Sequence, residues 1–369
     1  MSKYNANNER IKRRYFTYLK EAKRQSEDSV DAASTAIARF EVRTDYRDFK
    51  TFHIDQAVAF KRGLAKQQSQ ITGKSLSKAT LNSTLAQLKR FFFWLADQPG
   101  YRGKIKYSDA DYFNLSEKEA RIASAKRPRP VPTLEQVHHV LDTMPADNEL
   151  QLRDRAVIAF TLLTGARDSA TASLKLKHVD VDAASVFQDA REVTTKFSKS
   201  FMTYFFPVNG NALVILTDWV RYLRSERLWG NDAPLFPATR MELGPSGQFE
   251  AAGIKPEHWS TAGPIREIFK SAFAAAGLCY FNPHSVRNTL VRLGETRCKT
   301  PEEFKAWSQN LGHEGVLTTF TSYGMVPRER QADILRKLES KPISESVDEV
   351  TYRTLMKALK DSGVTPTAS

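Results

Sequence analysis

Residues 307–326 read WSQNLGHEGVLTTFTSYGMV, and they set the question for the whole chain. Tyr323 stands ten residues after His313, behind a threonine-rich polar run, among Thr321, Ser322 and Gly324. A tyrosine placed for packing more often has apolar neighbours at helical spacing. What a phenol does at this place depends on the groups the rest of the chain supplies.

Three further stretches supply such groups. LLTGARDSA (162–170) puts Arg167 just past an apolar helix, after a glycine. NPHSVRNTL (282–290) holds His284 and Arg287 three apart on the first turn of a helix opened by Pro283, so that both project from one side. LGHEG (311–315) holds His313. Singly, each has an ordinary structural explanation: a helix-end charge, a packed core histidine, a surface arginine.

Together they suit one chemistry. Two arginines can clamp the non-bridging oxygens of a phosphodiester and stabilise the added charge of a pentavalent transition state. Two histidines can hydrogen-bond that phosphate and help remove a phenolic proton. A tyrosine can then form a covalent phosphoester, splitting one difficult step into two. A lysine on a β-hairpin turn can reach the minor groove and protonate the leaving 5′-oxygen. The scheme requires no metal and no cofactor. The sequence shows no Walker-type P-loop and no acidic metal-ligand cluster.

The order Arg167, hairpin lysine, HSVR (284–287), LGH (311–313), Tyr323 resembles the signature of the tyrosine recombinases, the phage integrase family. TGAR, PHSVR and LGHEGVLTTFTSY are similar to its three strongest blocks, in its order, across roughly residues 130–340. The first 120 residues are similar to the family's core-DNA-binding domain in helix content and charge alone. The resemblance implies that Tyr323 attacks the scissile phosphate, giving a 3′-phosphotyrosyl link and a free 5′-hydroxyl. Arg167 and Arg287 would bind the phosphate, supported by His284 and His313. A partner strand's hydroxyl would then attack the phosphotyrosine, so strands rejoin without ATP. It further implies a recombinase or integrase of a mobile genetic element, acting on double-stranded DNA and forming a tetramer on paired sites. Related readings are a type IB topoisomerase, a hairpin telomere resolvase, or a catalytically silent DNA-binding module on the same fold.

Three departures from the family pattern stand out. Where its R-x-S-E pattern has an acid, RDSA has Ala170, so whatever orients Arg167 comes from elsewhere, with Asp168 the candidate. The gap from His313 to Tyr323 is one residue longer than usual. The hairpin lysine is Lys196 by the match of TTKFSKS (194–200) to T-K-x-x-K-S, whereas counting back from Pro207 favours Lys199. Lys196 is the expected catalytic member.

The expected fold is mainly α, with a small β-hairpin in the catalytic domain of a two-domain DNA clamp. In KATLNSTLAQLKRFFFWLADQPG (78–100), Leu81, Leu85, Leu88, Phe92 and Leu95 form one apolar stripe that Pro99-Gly100 ends. Residues 26–42 and 53–67 are weaker helical patterns. Residues 133–144, 153–166, 212–228 and 263–277 read as further helices. SVFQDAREVTTKFSKSFMTYFFPV (185–208) reads as a β-hairpin, and residues 236–260 as a Gly/Pro-rich loop. The expected divisions are a helical core-DNA-binding domain over 1–116, a basic linker over 117–132, a catalytic domain over 133–340 and a tail over 341–369. In that tail, Val347, Val350, Leu355, Met356 and Leu359 give a short amphipathic helix that can fold back on its own catalytic domain, whereas the resemblance implies that it docks on an adjacent protomer.

Charge points to the partner. Residues 1–130 hold 27 Lys and Arg against 14 Asp and Glu, while residues 131–369 hold 28 of each, so the whole excess of +13 lies in the first third. Lysines and arginines that neutralise phosphates release condensed counterions, which makes a nucleic acid the expected partner. No apolar run approaches the ~20 residues needed to span a bilayer, so no membrane association is expected. The opening MSKYNANNERIKRR lacks the apolar segment of a secretory signal. Two cysteines, Cys279 and Cys298, without a CxxC pair speak against a disulfide framework or zinc site and fit a cytoplasmic protein.

Overall fold

The computed structural model describes residues 4–68, 73–125, 130–245 and 247–313, with the side chain of Phe197 excepted. Tyr323 and the 341–369 tail, with its expected docking helix, lie outside the described residues. The chain divides into two compact units, Met1–Arg127 and Pro128–Ser369.

The amino-terminal unit contains five described α-helices: α1 (Ala6–Thr17), α2 (Glu27–Arg43), α3 (Ile54–Lys66), α4 (Lys78–Ala96) and α5 (Glu117–Ser124). Helix α4 is its axis. Ser77 caps it by accepting the Thr80 N–H, and the five residues of its apolar stripe are all buried. Around it lies an aromatic core in which Phe40 meets Phe92 edge-on at 5.2 Å and Phe49 meets Phe91 at 5.1 Å, the arrangement that ring quadrupoles favour. Glu41, 1% exposed, ties α2 to α1 by accepting from Asn8 at 3.1 Å and Lys12 at 2.6 Å. A buried carboxylate is stable only with such partners. The stretch 117–132 begins as α5, because Ser116 and Glu119 form a capping box and Lys78 on α4 pairs with Glu119 at 3.2 Å. Helix α5 buries no residue, so hydrophobic periodicity could not announce it.

The second unit is built around α7 (Glu149–Thr164), preceded by α6 (Leu134–Thr143). Every residue of α7 from Ala156 to Thr164 is buried, as a helix enclosed on all sides requires. A short α8 (Asp168–Ser173) leads into an antiparallel sheet in the order β1 (Val179–Asp180), β2 (Ser185–Gln188), β3 (Phe201–Tyr204). In the expected β2–β3 hairpin, Ser185 pairs with Tyr204 and Gln188 with Phe201, leaving residues 189–200 as the connection. Helix α9 (Ala212–Arg221) then packs on α7.

Residues 236–260, expected as a loop, instead contain a second hairpin, β4 (Ala238–Leu243) with β5 (Phe249–Lys255). Its outer half is exposed, including Met241, Leu243 and Phe249. No buried face imposed an alternating pattern there, so the sequence carried only its turn residues. Helices α10 (Gly263–Ala275), α11 (Pro283–Arg297) and α12 (Pro301–Asn310) complete the described unit. Among the described residues no helix is long and apolar enough to cross a membrane.

Candidate active site

Helix α7 stops at Gly165, whose φ of +61° belongs to the left-handed region. The Gly165 N–H still reaches Thr161 O at 2.9 Å, closing the helix. A Cβ at Gly165 would lie 2.9 Å from Leu311 Cδ2 and 3.0 Å from Leu290 Cδ1, so both backbone angle and space call for glycine. The chain leaves this turn extended and places half-buried Arg167 at the N-cap of α8. Ala170, where the family pattern has an acid, is buried. The carboxylate of Asp168 receives Arg266 Nε at 2.8 Å and the Ser169 N–H at 3.0 Å. The candidate orienter of Arg167 is therefore engaged with α10.

Arg287 joins the three sequence blocks. It lies on α11, which Asn282 caps through the Ser285 N–H at 3.0 Å and Pro283 opens. Its side chain, in a residue 2% exposed, donates to Gly165 O at 2.9 Å, to Leu311 O, and to His313 Nε2 at 2.8 Å. TGAR, HSVR and LGH thus meet at one guanidinium.

His313 is placed by the end of α12. There Gly312 takes φ +69°, its N–H reaching Gln309 O at 2.7 Å, while the His313 N–H reaches Ser308 O at 3.2 Å. Burial, then the charges of Arg287 and Arg167, push the His313 pKa down to about 3. The ring is neutral, and because Nε2 accepts from Arg287 its proton sits on Nδ1. His284 is exposed at its surface, yet its surroundings desolvate it. That effect, followed by the charges of Arg287 and Arg167, holds its pKa below the ordinary histidine value.

The lysine loop is fastened at both ends. Val193 is buried, and the Thr194 N–H donates to Ser173 Oγ on α8 at 2.8 Å. A single 3-10 turn, Lys196–Ser198, follows, and Ser200 Oγ accepts the Ala190 N–H at 2.9 Å. Lys196 is exposed, and its charge depresses the pKa of both His284 and His313. Strand β3 is clasped by Asn310, which accepts the Tyr204 N–H and donates to Tyr204 O, both at 2.7 Å.

Arg167, Lys196, His284, Arg287 and His313 consequently act on one another electrostatically, a cationic cluster with two neutral imidazoles. Such a cluster suits a phosphate. Ser173 and Asn310, which hold the loop and strand beside it, carry no motif signal. They read in sequence as an ordinary helical serine and a helix-end asparagine.

No protein-family model matches the chain. Among curated proteins it is similar to tyrosine recombinase XerC of Salmonella typhi, 29% identical over 150 residues, 40% of this chain and 43% of that one. XerC of Xanthomonas axonopodis pv. citri is 26% identical over 225 residues, 56% of this chain and 64% of the relative. The matched stretches thus span about half of the relatives' own length. Of solved structures, a lambda integrase (75–356) dimer bound to a COC′ core site aligns with TM-score 0.57 at 15% identity, covering 86% of this chain and 95% of that chain. XerH bound to palindromic difH substrate aligns with TM-score 0.54 at 16% identity, covering 89% and 85%. These likenesses share a fold, and the relatives share a name with the family that the ordered blocks TGAR, HSVR and LGH resemble. In its curated relatives and in its fold, the chain is similar to the tyrosine recombinases.

Proposed function

We propose that the protein is a site-specific DNA recombinase that cleaves and rejoins duplex strands through a 3′-phosphotyrosyl intermediate. The meeting of three motif blocks at the Arg287 guanidinium supports this reading most directly. Arg167 and Arg287 hold the scissile phosphate and offset its developing charge. The Tyr323 oxygen bonds to phosphorus as the bond from phosphorus to the 5′-oxygen breaks. The phenolic proton passes to neutral His284, and the Lys196 ammonium gives a proton to the departing 5′-oxygen. His313, neutral and bonded to Arg287 through Nε2, donates its Nδ1–H to a phosphate oxygen. Lys196 is favoured over Lys199 because its charge reaches both histidines.

The remaining assignments rest on charge and resemblance. A helical DNA-binding domain (1–116) and a catalytic domain (133–340), joined through 117–132, both contact one duplex. Four protomers assemble on paired sites, the 341–369 tail docking on a neighbour. Two free cysteines, Cys279 and Cys298, support a cytoplasmic setting. No metal or cofactor takes part.

The test uses a nicked duplex built from the DNA flanking the gene. The parent chain should form a protein–DNA adduct that survives denaturation and should join a partner strand. Tyr323→Phe should bind equally and form none; an adduct with that variant overturns the assignment. Relaxation of any supercoiled plasmid without joining at a defined site would indicate a topoisomerase instead.

A further inference from the structure

We propose that Ser173 is a positioning residue for Lys196, setting the register of the lysine loop on the same short helix that follows Arg167. The proposal rests on the reading of Lys196 as the proton donor to the leaving 5′-oxygen. A donor must come within hydrogen-bond reach of that oxygen, about 3 Å. A connection of the length of 189–200 does not confine an ammonium to that tolerance unless something holds it close by.

The anchors lie on the approaching arm. Furthest back, Glu192 receives Lys177 at 2.8 Å, Lys175 at 3.1 Å and His178 at 3.4 Å. These lysines are partly solvated, so salt screens that cluster. Val193 is then buried in the core. The last anchor before the lysine is the bond from the Thr194 N–H to Ser173 Oγ at 2.8 Å. Ser169 Oγ adds a longer contact to Thr194 O at 3.4 Å.

Ser173 is oriented to accept. Its own hydroxyl proton is directed into its helix, toward Ala170 O at 3.0 Å and Ser169 O at 3.1 Å. That leaves a lone pair turned out to Thr194. From Thr194 to Lys196 the backbone spans at most ~7 Å, so the anchor fixes where the lysine begins. Thr195, lying between them, buries its hydroxyl with no hydrogen-bond partner among the described residues. An unmade bond disfavours this conformation, so the Ser173 anchor helps to keep it in place, alongside the local bonds from the Thr195 N–H to Val193 O at 2.8 Å and from the Ser198 N–H to Thr195 O at 3.3 Å. Because α8 also begins immediately after Arg167, one helix places both the phosphate's arginine and the lysine's arm.

The experiment measures single-turnover cleavage of the flank-derived duplex with either oxygen or sulfur at the 5′ bridging position. A thiolate leaves without a proton donor, so the sulfur substrate bypasses Lys196. Ser173→Ala should slow cleavage of the oxygen substrate about tenfold, part of what a lost general acid costs, and of the sulfur substrate no more than about twofold. Duplex affinity should stay unchanged, and Ser173→Thr, which keeps the acceptor, should restore the oxygen rate. Equal slowing on both substrates, or none on either, overturns the proposal. Lys196→Ala is run alongside. If sulfur rescues it but not Ser173→Ala, positioning alone fails. If sulfur does not rescue Lys196→Ala, the reading of Lys196 as the acid fails and the proposal with it.

Discussion

Arg287 donates to the Nε2 of His313 across 2.8 Å, inside a region where both residues are buried. A ring nitrogen that accepts from a guanidinium cannot also take up a proton, and burial already brings the His313 pKa to about 3. The folded value lies below the unfolded one of 6.5. Stability from this group is therefore complete above about pH 6.5 and declines as pH falls toward 3, where the unfolded chain binds the extra proton. Urea unfolding should show this decline between pH 6.5 and 4. His313→Gln should reduce its steepness by up to about one proton. An unchanged slope would assign the decline to His178, His258 and His284, whose pKa values are also lowered.

The two arginines should separate by stability. Arg287→Ala leaves Gly165 O and Leu311 O without their donor, at a cost of about 2–4 kcal/mol. Arg167 is half-buried at a helix start, and Arg167→Ala should cost distinctly less. Both should slow cleavage ~10²–10³-fold, as expected for loss of a charge-stabilising donor. Equal unfolding losses for the two variants would contradict the assigned burial roles.

Gly165→Ala should destabilise by about 2–4 kcal/mol, combining a left-handed φ with overpacking against Leu311 and Leu290. Gly277 provides the control. Its φ is +71°, but a methyl group there would meet no atom of the described residues within 4 Å, so Gly277→Ala should cost only about 1 kcal/mol. Similar losses at both positions would mean that the packing at Gly165 relaxes freely.

Duplex affinity should fall steeply with salt for the full chain, since the slope scales with the number of phosphates neutralised. A chain beginning at Pro130 lacks the entire charge excess and should show a shallow slope. Equal slopes would refute the assignment of non-specific affinity to the first third. EDTA should leave cleavage by the full chain unchanged, and activity lost to EDTA and restored by Mg²⁺ would point to a metal nuclease.

What is legible in the sequence is whatever local pattern enforces. The stripe from Leu81 to Leu95, the helix that opens at Thr133, and the hairpin within residues 185–208 follow from periodicity, a capping residue, and β-branched and aromatic residues flanking a turn. The motif blocks name Arg287 and His313, but their spacing cannot show that Arg287 turns inward to Gly165 and Leu311, because those contacts join residues far apart in the chain. Helix α1 escapes a reading by periodicity, since its buried face is only Asn8, Ile11 and Tyr15 in an otherwise charged segment. The β4–β5 hairpin escapes it for the complementary reason, its outer half burying nothing.

The paired bonds between Asn310 and Tyr204 have a consequence for assembly. Among the described residues strand β3 ends the order of its sheet, so there one side of it offers backbone groups to any extended peptide that approaches. At Tyr204 the asparagine amide already supplies one acceptor and one donor, the pair an incoming strand would bring. A side chain thus imitates a fourth strand for the length of one residue. The molecule thereby denies that rung to aggregation-prone strand addition without extending the sheet.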